Sequence, residues 1–181
     1  MKNTFKSISA IALLAAAASS SSHIVLDEPV AQAGASYKAV LRVGHGCTGS
    51  PTTAIRVLSP TGLRGAKPQP KPGWTLATRS EKLAQPYSSH GKQITDDVVE
   101  ISWTAASRES WLADAFFDEF VLRGTLSERP GVLWFKVLQT CETGSNDWSE
   151  IPTAGVSTQG MKTPAILLKV LPAGAGMDHQ H

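Results

Sequence analysis

Short runs in which apolar and polar residues alternate recur along most of this chain. The clearest is Ser36–Val43, where every second residue from Tyr37 to Val43 is apolar. Such alternation places the apolar side chains on one face of a β-strand. Similar runs occur at 53–58, 74–78, 98–104, 116–122, 132–139, 148–151 and 166–171, and Gly, Pro, Ser or Asn residues fill most gaps. The pattern predicts about eight strands.

Helical periodicity is almost absent. The best window, 107–115, is long enough for only one or two turns. We therefore predict an all-β fold, most simply a two-sheet sandwich, as one domain from His23 to Leu171. The segment 67–73 holds three prolines, which cannot donate to a sheet ladder, and is predicted to be a polyproline-like connection or a sheet edge.

The N-terminal segment has the composition of a secretory signal peptide. Lys2 and Lys6 precede an apolar run at 8–18, which is followed by four serines. The run is too short to span a bilayer, which takes about 20 residues. We expect removal of 1–22 by cleavage after Ser22, with a periplasmic, cell-surface or secreted product. Losing Lys2 and Lys6 from 17 basic residues leaves as many as the 15 acidic ones, so the composition offers no basic surface for nucleic acid.

Cys47 and Cys141 are the two cysteines of the chain. In an exported protein they are expected to form a disulfide. A pair of thiolate metal ligands is the alternative interpretation. Neither cysteine belongs to a C-x-x-C motif, so the sequence gives no support for a redox pair.

His23 becomes the N-terminal residue if cleavage follows Ser22. A terminal histidine offers its α-amine and imidazole Nδ1 to one ion as a chelate, and both groups lose their protons near neutral pH. Nitrogen donors of this kind suit Cu(II). If cleavage falls elsewhere, His23 is simply an exposed histidine at a strand end.

Other candidate ligands are less constrained. His45 lies in a Gly-flanked loop and could add a second imidazole, although loop histidines are commonly only solvated. The tail 172–181 is predicted to be flexible, and its Met177, His179 and His181 are candidate accessory metal ligands.

Hydrolase, zinc-protease and phosphate-loop motifs are missing from the sequence, and we predict that the protein is not an enzyme.

Several segments together resemble the YcnI-type copper-binding domain family of bacteria. The match covers nearly all of the mature chain, and the stretches that carry it are 23–26, 34–43, 45–47, 50–57, 67–75, 118–124, 139–142 and 148–152. The resemblance implies an immunoglobulin-like or cupredoxin-like β-sandwich that binds Cu(II) through a single-histidine brace at the mature N-terminus.

The same resemblance places a tryptophan beside the metal, and the matching position is Trp148 in a Trp-x-Glu-x-Pro motif. Glu28 and Glu150 are the candidates for an acidic neighbour of the copper. Glu150 lies two positions after Trp148, which would put both on one face of a strand. Without the resemblance, Trp148 would be interpreted as a core residue.

These features predict an exported Cu(II)-binding protein for copper acquisition, storage or handover. Its partners are then the copper ion and a periplasmic copper chaperone or membrane copper importer. Two alternatives remain at this point. One is a metal-free extracellular interaction or adhesion sandwich, and the other is a histidine-brace copper monooxygenase, which would need a second histidine such as His45 or His90 at the metal.

Overall fold

The computed structural model describes residues 23–174. The predicted signal peptide and Met177, His179 and His181 lie outside this range. The described residues form eleven strands and one short 3-10 turn at Arg108–Ser110. The strands are β1 Val25–Leu26, β2 Val30–Gln32, β3 Ser36–Val43, β4 Thr52–Leu58, β5 Leu63–Pro68, β6 Trp74–Ser89, β7 Lys92–Ala105, β8 Asp118–Leu126, β9 Gly131–Cys141, β10 Ser145–Trp148 and β11 Ile166–Leu171. The all-β prediction is confirmed.

The strands build two sheets. One has four strands in the order β1-β3-β8-β5. The other has seven, in the order β2-β11-β9-β4-β7-β6, and β10 is its seventh strand, paired with β9. The pairs are antiparallel except for β2 and β11, which run parallel. No helix in 23–174 is long and apolar enough to cross a membrane.

The core lies between the two sheets and draws on both. Leu41 of β3 and Phe120 of β8 are fully buried in one sheet, and Ile55, Trp103 and Phe135 are fully buried in the other. Along β3 the buried and less buried residues alternate through the whole strand. The period-two pattern in the sequence therefore marked the face that is removed from water.

Three strands were missed because they carry little local signal. The strands β1 and β2 have only two and three residues, and β5 contains a glycine and ends at Pro68. The β5 strand lies at the edge of the four-stranded sheet, so the predicted sheet edge at 67–73 is correct for Lys67 and Pro68. An edge position suits proline, which has no N–H to donate.

Several elements differ from the predicted bounds. The helical window 107–115 is wrong beyond the single turn at Arg108–Ser110. The strands β6 and β7 extend far beyond the predicted runs and form a long hairpin. Their outer halves are largely exposed, so no apolar alternation marked them. His90 and Gly91 close this hairpin, with φ of 47° and 73°, the positive values of a two-residue type I′ turn.

Strand pairing brings His23 and Trp148 to the site described next. Val25 pairs with Arg42 near the end of β3, which places His23 beside the loop that follows Val43. Trp148 pairs with Val137 in the second half of β9. The cysteine-linked loop after β3 and the end of β9 therefore meet in one region.

Candidate metal centre

His23 and Trp148 are in ring contact. Their ring centroids are 5.3 Å apart, with an angle of 57° between the planes. Trp148 is the last residue of β10 and is only 2% exposed. His23 is half-buried and lies two residues before β1. The two residues that the family resemblance singled out most strongly thus lie side by side.

The indole N–H of Trp148 has a buried polar partner. Its Nε1 donates a hydrogen bond to Oε1 of Gln139 at 3.3 Å. Gln139 lies on β9 and is 1% exposed. Its Nε2 donates to the carbonyl oxygen of His45 at 2.7 Å and to Oγ1 of Thr52 at 2.8 Å. This side chain links Trp148 to the loop after β3.

Sequence reasoning missed the role of Gln139, although a signal was present. Phe135, Val137, Gln139 and Cys141 occupy alternate positions of β9, and all four are buried. A glutamine in the buried phase of an apolar strand needs polar partners inside the protein. That position therefore indicates a buried hydrogen-bond network, even before the partners are known.

The two cysteines form the predicted disulfide. Cys47 and Cys141 are bonded, with their Cα atoms 5.9 Å apart, a usual separation for this link. The alternative of two thiolate metal ligands is therefore excluded for this structure. The bond fixes the loop after β3 to the end of β9, next to Gln139. It also fits an oxidising compartment.

The expectation that Trp148 and Glu150 share a strand face is wrong. The β10 strand ends at Trp148, and the chain turns there, with the N–H of Ser149 donating to the carbonyl of Asp147. Glu150 is exposed, and its Oε2 accepts a hydrogen bond from the N–H of Thr163 at 3.3 Å. The predicted strand 148–151 in fact lies at 145–148.

Glu28 is also exposed. Its carbonyl oxygen accepts a 2.6 Å hydrogen bond from the hydroxyl of Tyr37, which ties the segment after β1 to β3. Burial and the negative charges of Glu28 and Asp27 raise the pKa of Tyr37. The backbone carbonyl of Glu28 therefore helps to position the segment between β1 and β2.

Within residues 23–174, no group of three or more His, Cys, Asp or Glu residues converges as a metal site. His23, Glu28 and Glu150 therefore do not form one cluster. A single-histidine brace does not require such a cluster, because the α-amine and Nδ1 of one residue supply two donors. Once cleavage frees its α-amine, His23 beside the buried ring of Trp148 would fit a Cu(II) brace, and the described residues offer no carboxylate cage.

The two other histidines within residues 23–174, His45 and His90, lie in loops. The ring Nδ1 of His45 contacts the carbonyl of Gly46, and its own carbonyl accepts from Gln139. The N–H of Gly46 donates to Oδ1 of Asp114 at 2.9 Å, which fixes this loop from the other side. His90 occupies the turn of the β6–β7 hairpin.

Comparison with protein families identifies the domain. Residues 23–170 match a family described as a domain of unknown function, DUF1775. The chain belongs to this family. The DUF1775 family includes YcnI-like proteins, so the resemblance holds at the level of the family. The DUF1775 match begins at His23, the residue that contacts Trp148.

The DUF1775 fold also has a structural counterpart. A crystal structure of an uncharacterized protein from Nocardia farcinica, described as an immunoglobulin-like fold, aligns with a TM-score of 0.62 and 25% identity. The alignment covers 82% of this chain and 97% of that one. No curated protein matches the chain at a significant level. The immunoglobulin-like description agrees with the two sheets seen here.

Proposed function

We propose that this protein is an exported Cu(II)-binding protein that acts in copper acquisition, storage or handover, without catalytic turnover. The observation that supports the proposal is the contact between His23 and the buried indole of Trp148. It occurs at the residue where the family match begins. That start coincides with the N-terminus expected after signal-peptide cleavage.

The chemistry of the site follows from the donors of one residue. After cleavage, His23 offers its α-amine and imidazole Nδ1 to one ion as a chelate, and metal binding displaces the protons from both nitrogens. Copper(II) heads the divalent affinity order for nitrogen donors. The indole N–H is a donor only and cannot ligate, so Trp148 would wall one side of the site.

A titration with Cu(II) tests the role of the N-terminus. Three proteins are compared: the chain beginning at His23, the same chain with His23→Ala, and the chain beginning at His23 with its α-amine acetylated. The first should bind about one Cu(II) tightly. The other two should bind at least about 100-fold more weakly, because one lacks the imidazole and the other has its α-nitrogen in an amide.

A matched control is His45→Ala, which leaves both donors of His23 in place and should keep the tight site. Tight binding by the chain with an acetylated α-amine would contradict the brace. Absence of tight binding by all forms would favour a metal-free interaction domain. Loss of binding in His45→Ala would instead support a two-histidine site of the monooxygenase kind.

Mass spectrometry of the exported protein tests the processing step, and the expected N-terminal residue is His23. Exchange of Cu(II) with a periplasmic copper chaperone or membrane copper importer then follows as the physiological role. This step is testable by mixing loaded protein with a copper-free acceptor and following the loss of the Cu(II) signal.

A further inference from the structure

Gln139 is a buried amide whose hydrogen-bonding groups are fully used. Its Nε2 donates to the carbonyl of His45 and to Oγ1 of Thr52. Its Oε1 accepts from Nε1 of Trp148 and, at 3.2 Å, from Nδ2 of Asn146. A primary amide has two donor hydrogens and two acceptor lone pairs, so all four are satisfied.

The partners allow only one orientation of this amide. A backbone carbonyl such as that of His45 can only accept, and an indole N–H can only donate. Turning the amide over would place its oxygen against the carbonyl of His45 and its NH2 against the N–H of Trp148. Both contacts would be repulsive in a buried, low-dielectric position. The donor and acceptor roles of the neighbours, and not only the shape of the space, therefore fix which end of the amide faces each neighbour.

The fixed orientation of the Gln139 amide affects His23 through Trp148. The indole has one polar atom, and that atom is held by Gln139. Backbone pairing to Val137 fixes the position of the residue, whereas core packing and the hydrogen bond together restrain how the ring is turned. The ring face presented to His23 thus depends on an amide anchored to the loop after β3.

We propose that Gln139 is a positioning residue, which holds the indole of Trp148 against His23 and thereby sets how readily copper bound there is reduced. This inference rests on the proposed copper function. Gln139 itself acts only through Trp148.

A double-mutant cycle on processed protein tests this. The proteins are wild type, Trp148→Phe, Gln139→Leu and the double variant, loaded with one Cu(II). The readout is the rate at which ascorbate reduces the bound copper. Gln139→Leu should change this rate at least about threefold, in the same direction as Trp148→Phe. The double variant should lie within about twofold of Trp148→Phe, because two residues that act as one unit are not additive.

A readout without metal separates this inference from the copper function. In copper-free protein, Gln139→Leu should change the near-ultraviolet circular dichroism that arises from Trp148, and the change should vanish in the Trp148→Phe background. If wild type binds no Cu(II) but this result holds, the positioning role survives and the copper function fails. If Cu(II) binds but neither readout depends on Gln139, the positioning role is wrong.

Two further variants keep the test decisive. Asn146→Ala removes another bond to the same Oε1 and should leave both readouts within about 1.5-fold of wild type. If Gln139→Leu does not fold, Gln139→Glu serves instead, because its carboxyl oxygen can still accept from Trp148. In copper-free protein, Gln139→Glu is then expected to keep most of the wild-type dichroism at low pH, where its carboxyl is protonated and can donate to the carbonyl of His45. Additive effects in the cycle would show a merely structural role.

Discussion

At the residue scale, the contact between His23 and Trp148 leads to a prediction of how the indole affects copper bound at His23. Trp148→Phe keeps an aromatic wall and both donors of His23, so the Cu(II) affinity should stay within about tenfold, equivalent to ~1.4 kcal/mol. The ascorbate reduction rate and the copper spectrum should change. Quenching of tryptophan fluorescence by Cu(II) should fall. Unchanged quenching, rate and spectrum would make Trp148 an ordinary core residue.

Tyr37 gives a second prediction at this scale, on stability at high pH. Burial, followed by the charges of Glu28 and Asp27, raises the pKa of Tyr37, and burial raises the pKa of Tyr87 to about 12. Above the ordinary tyrosine pKa of about 10, the unfolded chain loses these protons while the folded chain keeps them. The free energy of unfolding should therefore be constant just below pH 10 and fall as the pH rises further.

The chain has two tyrosines, so single and double variants can show how much each contributes to the loss of stability at high pH. Tyr37→Phe should lower stability at neutral pH by about 0.5–1.5 kcal/mol, because its bond to the carbonyl of Glu28 is lost. It should also reduce the fall above pH 10, and adding Tyr87→Phe should nearly abolish it. Urea unfolding at a series of pH values measures both. An unchanged alkaline slope in the double variant would contradict the assignment.

At the element scale, the two residues that form the turn of the β6–β7 hairpin differ in how well they tolerate positive φ. His90 has a side chain at φ 47°, where Asn is better tolerated. His90→Asn should therefore raise the free energy of unfolding by up to about 0.5 kcal/mol. Because His90 lies in this turn, the substitution should leave Cu(II) binding unchanged. Lost Cu(II) binding would place His90 at the metal and revive the two-histidine alternative.

Gly91 is the matched control for this turn. A Cβ at Gly91 would meet no atom within 4 Å, so any destabilisation by Gly91→Ala must come from its φ of 73°. The expected loss is about 1 kcal/mol. Thermal unfolding of the two variants should thus show shifts of opposite sign.

At the scale of the whole molecule, the disulfide joins positions that are 94 residues apart. In the chain-entropy model, closing so long a loop stabilises the fold by about 4.7 kcal/mol. Replacing both cysteines by alanine should lower the free energy of unfolding by about 2–5 kcal/mol in denaturant titrations. Thiol counting on unfolded, unreduced wild type should find no free thiol. Two reactive thiols there would contradict the bond.

The sequence by itself determined much of the secondary structure and part of the site. The strands β3 and β11 have the predicted bounds, because alternation with period two is a local property of the chain. His23 could be singled out from its place after the predicted cleavage site and Trp148 from the family resemblance, and the disulfide was predicted from a cysteine pair in a chain expected to be exported. Strands too short or too exposed to alternate, such as β1 and the outer half of β6, left no such signal.

The tertiary structure alone decided which residues meet. Only strand pairing brings His23 to Trp148, 125 positions later, and places Gln139 beneath the indole. It also separates Glu150 from Trp148, although two positions divide them, because the chain turns at Ser149. Contacts between distant segments depend on sheet register and on the closure of long loops. Neither is encoded in the pattern of any one stretch of the chain.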